Sequence, residues 1–202
     1  MYKLEKMNIR SFWEDFTEMS TELNFDLNEL WSQDFKNNSQ VIRRAYCRAL
    51  FSKIDGINSL LKQHAERFGD PDDETLLLLQ DKKISKDTKQ KVKSFRRPPD
   101  DLFFAIETFA WTIAGEPMIN RNSEGWKKFE EAVKIRNRIT HPKKKQDLII
   151  SNEDIKLLHK IEHWHDTQII EILSFISKSL KKMAKTLKRN FYLKYPEAAN
   201  DK

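Results

Sequence analysis

Trp126-Lys-Lys-Phe-Glu-Glu-Ala-Val-Lys-Ile-Arg136-Asn137-Arg138-Ile-Thr-His141-Pro142 reads as an amphipathic helix that stops at a histidine. At ~100° per residue, Trp126, Phe129, Ala132, Val133, Ile135 and Ile139 share one broad face, and Lys127, Glu130, Glu131, Lys134 and Arg138 share the other. Arg136 breaks the division by landing near the middle of the apolar face. An arginine there must be paired, reach water past its neighbours, or meet an anion, because an unpaired desolvated charge is very costly. His141 follows where Pro142 disfavours further helix. Asn137, four positions before His141, lies on its side while the helix lasts.

Helices flank this stretch. Pro98-Pro99-Asp100-Asp101 opens a segment in which Leu102, Phe103, Ile106, Phe109, Ala110 and Ile113 predict the central core helix, ending at Gly115-Glu116-Pro117. Downstream, Ser151-Asn152-Glu153-Asp154 starts a long helix, about Glu153 to Arg189, with one apolar stripe from Ile155 through Ile161, Ile169 and Ile176 to Leu180, Met183 and Leu187. Upstream, Asn37-Asn38-Ser39 precedes another long helix, about Gln40 to Arg67. Its stripe is Val41, Ala45, Ala49, Leu50, Ile54, Ile57, Leu61 and Ala65. Gly56 within it points to close packing against another helix, since a mid-helix glycine costs about 1 kcal/mol relative to alanine. Asp55 falls on the polar side and reads as solvated. Gly69-Asp70-Pro71 ends this helix, and Asp72-Asp73-Glu74 leads a short one through Leu76–Leu79.

Two stretches are less regular. Residues 1–36 predict a short helix, about Ile9 to Leu23, then a connector whose Phe25, Leu27, Leu30, Trp31 and Phe35 dock on the body. Asp81 to Arg97 is the most polar segment, rich in lysine, with Phe95 its one aromatic. It reads by default as a solvated loop or helix surface, and alternatively as a basic strip tracking a nucleic-acid backbone.

Composition agrees with helices. Only four glycines and six prolines in 202 residues leave little turn chemistry for a β-rich fold, and 34% of residues are charged. The expectation is all-α: an N-terminal helical extension (1–36) packed on a helical domain (37–190) with two long helices plus shorter ones, then a tail (191–202). A net charge of +6 and a pI near 9.2 suit a polyanionic partner. One cysteine, Cys47, precludes an internal disulfide and fits a reducing cytoplasm. No apolar run approaches the ~20 residues of a membrane span, and the first residues lack a signal-peptide core. A cytoplasmic protein without membrane partners is expected.

Arg136-x4-His141, with Asn137 directly after the arginine, resembles the Arg-x4–6-His signature of the HEPN superfamily, small all-helical proteins that include metal-independent ribonucleases of prokaryotic defence and toxin–antitoxin systems. The resemblance implies a HEPN-like bundle. It also implies an endoribonuclease acting on RNA without cofactor or metal, as a homodimer that brings two motifs to one cleft. Arg136, Asn137 and His141 would be catalytic, and a 2′,3′-cyclic phosphate would be the product. It covers about residues 40–190. Lys143, Lys144 and Lys145 follow the motif and are candidate phosphate-binding residues, beside the plainer reading of a solvated lysine run. HEPN toxins silenced by nucleotidyl transfer carry a tyrosine two residues after the histidine; Lys143 stands there, which puts that control, and the nature of any cognate antitoxin or regulatory protein, in question. The alternative is a non-catalytic HEPN-like module for dimerisation or nucleic-acid binding.

Other histidines compete for attention. His159-Lys-Ile-Glu162-His163 matches the His-x-x-Glu-His spacing of some zinc peptidases, but the wheel turns both histidines to the polar flank, without an evident third ligand. They read as surface histidines. His165 falls within the apolar stripe and reads as a hydrogen-bonded core histidine, or as a neighbour of Arg136.

Overall fold

The computed structural model describes residues 9–69, 71–115 and 118–194. Its organising element is α2 (Gln40–Phe68), which packs against α1 (Ile9–Asn37), α3 (Asp73–Leu79), α4 (Pro98–Ala114), α5 (Glu124–Thr140) and α6 (Asn152–Lys194). The sequence pointed instead to the segment after Pro98 as the centre. The apolar stripe of α2 understates its burial, because Arg43, Lys53, Asn58, Lys62 and His64 are buried alongside Tyr46, Leu50, Ile54, Ile57 and Leu61. Partners from other helices make this tolerable, since buried charges need pairing. Arg43 Nε donates to Asp34 of α1 at 2.9 Å, and Lys53 Nζ meets Asn24 of α1 and Asp166 of α6, both at 2.6 Å. Val41, assigned to the stripe, is exposed, whereas Arg43 two positions on is buried.

Helix α1 is continuous to Asn37, so the expected connector after Leu23 is helical. No glycine or proline interrupts it, and its apolar residues keep helical spacing through Leu27, Leu30 and Trp31. Leu27 is fully buried, and Phe16, Leu30 and Trp31 pack against the core, but Phe25, expected to dock, points to solvent, and the Phe35 side chain lies outside the described residues. Gly56 allows this approach: a Cβ there would sit 3.3 Å from Met19 Sδ. The bundle thus has three long helices among the described residues, where two were expected. Helix α6 continues to Lys194, past the expected start of the tail; residues 195–202 and the side chains of Leu180, Met183 and Leu187 lie outside the described residues.

The Asp81–Arg97 segment holds a two-stranded antiparallel hairpin rather than a loop or helix surface. Strands β1 (Lys82–Ile84) and β2 (Lys91–Lys93) pair Lys82 with Lys93 and Ile84 with Lys91. Lys89 turns the chain at φ 56°, and Ser85 Oγ accepts from the Thr88 N–H at 3.3 Å. Lysine-rich strands hide a hairpin from a propensity argument, because the pairing satisfies backbone groups and buries almost no apolar surface.

Helix α5 starts where Ser123 Oγ accepts the Trp126 N–H at 3.2 Å, an N-cap bond. Its predicted apolar face, Trp126, Phe129, Ala132, Val133, Ile135 and Ile139, is buried throughout. Helix α4 stops at Gly115 in the left-handed conformation (φ 72°), as glycine at that position commonly does. His165 is fully buried, but neither ring nitrogen has a hydrogen-bond partner among the described residues, and Asp166 Oδ1 is 3.7 Å from Nδ1. Burial pushes its pKa down and keeps the imidazole neutral.

Gly125, in the first turn of α5, lies under the Trp164 indole of α6, where a Cβ would fall 2.1 Å from Nε1. Gly125→Ala should therefore displace Trp164 from Phe129 and Trp126 and lower stability by about 1–3 kcal/mol, despite alanine's higher helix propensity. Urea unfolding should show a lower midpoint at unchanged slope.

Candidate active site

The C-terminal half of α5 forms one wall of a cleft of about 890 Å³ through Val133, Arg136, Asn137 and Arg138, and the chain beyond it adds His141, Lys143 and Asp147. The facing walls come from Asp55 of α2 and from residues 95–99 and 101, where the hairpin runs into α4. Helix periodicity brings Val133, Arg136 and Asn137 to one side, and α5's termination turns His141 to the same opening.

Arg136 is half-buried, at the edge of the apolar face rather than sealed within it. Its Nη1 donates to Asn137 Oδ1 at 3.1 Å, and no carboxylate lies within 4 Å of it among the described residues. Asn137 therefore does not orient His141 through that oxygen; it steadies the guanidinium and keeps its own N–H₂ as a donor. His141 closes α5 with its backbone N–H on the Asn137 carbonyl at 3.0 Å, while its side chain is exposed. Thr140 Oγ1 donates to the Arg136 carbonyl at 2.7 Å, which satisfies another helix-end acceptor.

Of the three candidate lysines, only Lys143 lines the cleft; Lys144 and Lys145 lead into a single 3₁₀ turn (Lys145–Leu148) and are exposed outside it. Two nearby arginines are structurally committed. Arg138 Nη2 donates to Asp154 at 2.8 Å, and Arg96 lies 3.7 Å over the Phe104 ring while Nη2 reaches the Leu78 carbonyl at 2.9 Å. Arg96 also pairs with Asp81 and Asp101, which Lys62 bridges at 3.2 Å each.

The sequence reading missed Asp55, Phe95, Arg97 and Asp147 as parts of this site. Asp55 was taken as solvated; it is exposed, yet it faces the cleft, where desolvation raises its pKa against the opposing pull of Arg136. Only the crossing of α2 and α5 reveals this. Cys47 also feels Arg136, but burial dominates and pushes its thiol up to about 12, so it is protonated at neutral pH.

His159 is not a bystander at the surface. It stacks on Trp31 at 3.9 Å, its Nδ1 lies 3.2 Å from Tyr46 Oη, and Glu162, buried beside it, accepts from the same hydroxyl. His163 Nε2 is 3.2 Å from His159 Nε2. Among the described residues no group of three or more potential ligands is arranged to hold a metal ion. No helix there is long and apolar enough to cross a membrane. Searches of family models, curated proteins and solved structures find no match to this chain.

Asp147 accepts the backbone N–H of Lys143 at 2.8 Å and of Lys144 at 3.1 Å, and braces the turn after His141. Those bonds favour the carboxylate and hold its pKa below the usual range. The brace is therefore complete above the unfolded value of about 3.9 and is lost as pH falls through the lower folded value. The Asp147 side-chain carboxyl carbon resonance should titrate below the ordinary aspartate value of about 3.9.

Proposed function

We propose that the chain is a metal-independent endoribonuclease that works as a homodimer, with Arg136, Asn137 and His141 at a composite cleft. The observation that carries this reading is a half-buried guanidinium, without a carboxylate partner among the described residues, on the same cleft as an exposed histidine. A phosphodiester supplies the anion that such an arginine lacks, through directed, permanently charged donors.

Cleavage proceeds by removal of the 2′-hydroxyl proton and attack of that oxygen on phosphorus. The P–O5′ bond breaks, and a proton is delivered to the departing 5′-oxygen. A 2′,3′-cyclic phosphate and a 5′-hydroxyl result. Arg136 stabilises charge on the crowded phosphorane, and histidine suits proton transfer near neutral pH. A C2 pair supplies two copies of each group, one histidine as base and one as acid. Asp55, on the facing wall of the same cleft, adds to each chain a carboxyl group that can exchange a proton with substrate. The HEPN resemblance of Arg136-Asn137-x3-His141 supports the same chemistry.

One observation favours a second reading, a non-catalytic HEPN-like dimerisation or nucleic-acid-binding module: no hydrogen bond orients the His141 ring among the described residues. Cleavage assays on purified protein in EDTA separate the two. The nuclease should cut RNA with chelator present. His141→Ala should lose roughly 10²- to 10⁴-fold in rate and Arg136→Ala about 10²- to 10³-fold. Undiminished cleavage by either variant, or a strict need for added metal, defeats the proposed mechanism.

A further inference from the structure

Residues 91–97 lead from the hairpin into α4, and their exposure alternates: Lys91, Lys93, Phe95 and Arg97 are exposed, while Val92, Ser94 and Arg96 are half-buried. A period of two marks an extended chain with one side turned to water. The Ser94 N–H donates to the Asp81 carbonyl at 2.7 Å and carries the β1–β2 pairing one step further. The inner side is fixed by Arg96 and its partners. The outer side presents lysine, lysine, phenylalanine and arginine about 6.6 Å apart, with no carboxylate within 4 Å of the cations among the described residues.

Two features point to a ligand. Phe95 is 89% exposed, so folding gains little from its ring. Phe95 and Arg97 also line the Arg136–His141 cleft, so the strip runs into the candidate site. An aromatic face between evenly spaced cations matches a single nucleic-acid strand, whose bases stack and whose phosphates repeat. A duplex offers no open base face to this ring. A second copy of the chain is a poor occupant, because the hairpin also exposes Lys82, Lys83 and Lys89, and like charges would meet.

We infer that the outer side of residues 91–97 is a track for single-stranded RNA. Phe95 stacks one unpaired base, and Lys91, Lys93 and Arg97 hold phosphates and direct the strand toward Arg136 and His141. The inference rests on the reading of that pair as phosphate-handling groups. It identifies the substrate class as unpaired RNA and assigns the hairpin as the strand-reading element.

The test uses fluorescence anisotropy with a labelled 2′-O-methyl oligonucleotide, which cannot be cut by its own 2′-oxygen, beside its duplex of equal length. The single strand should bind at least tenfold more tightly than the duplex. Phe95→Ala should weaken binding roughly tenfold with an unchanged melting temperature, since the ring is outside the core. Replacing Lys91 and Lys93 together by glutamine should flatten the log–log salt dependence by about 1.4. Equal affinity for duplex, or unchanged affinity in Phe95→Ala, overturns the track. Sedimentation velocity adds a further check: a dimer lost in Phe95→Ala would assign the ring to a subunit contact and overturn it as well. Binding by wild type without cleavage of unmodified RNA would end the nuclease reading and leave the track standing. Cleavage indifferent to Phe95 would do the reverse.

Discussion

A single buried carbonyl, that of Ile150, fixes where the candidate site sits. It accepts from Gln40 Nε2 and from Arg43 Nη1, both at 2.9 Å, while the Ile150 N–H returns a bond to Gln40 Oε1 at 2.8 Å. Arg43 Nη2 also reaches Asn152 Oδ1 at 2.7 Å, and Arg44 Nη1 takes the Leu148 carbonyl at 3.0 Å. The first turns of α2 thus comb the chain between α5 and α6. Charge-assisted bonds at this depth are strong when complete and costly when broken, so the connection has little freedom. Because His141 lies at the start of that connection, its relation to α2 is set by contacts that do not touch the cleft.

The same logic runs through the bundle. Lys53 joins α2 to α1 and α6, Lys62 and Arg96 join α2 to α4 and the base of the hairpin, and Trp31 stacks on His159 to tie α1 to α6. Apolar burial supplies the bulk of the driving force, while these polar joints select one arrangement of the helices. The cleft is the place where the pattern is left incomplete, with Arg136 bonded only to its neighbour's amide among the described residues.

Much of the site-bearing region was legible in the sequence. The apolar spacing of α5, the stop at His141-Pro142, the glycine ending α4 and the Ser151–Asp154 start of α6 are local signals, and each is found where local physics puts it. The rest depended on partners distant in sequence. The burial of Lys53 depends on Asp166, more than a hundred positions away in the chain. Asp55 is exposed as expected, but that it faces the cleft shows only once α5 is seen opposite it. The continuity of α1 was obscured by Asn24 and Asn28, weak helix formers in its second half, and the hairpin by lysines that carry no apolar alternation.

The hairpin contributes no residue to the buried core; its strands are exposed along nearly their whole length. Its base is clamped by Arg96, Asp81 and Asp101, so replacing its tip leaves the clamp undisturbed. Mutational drift can therefore rewrite the outer strands without altering the bundle or the arginine–histidine centre. If the proposed reading holds, strand selection and chemistry sit on separate segments, and diversification should concentrate between Lys82 and Lys93, outside the clamp.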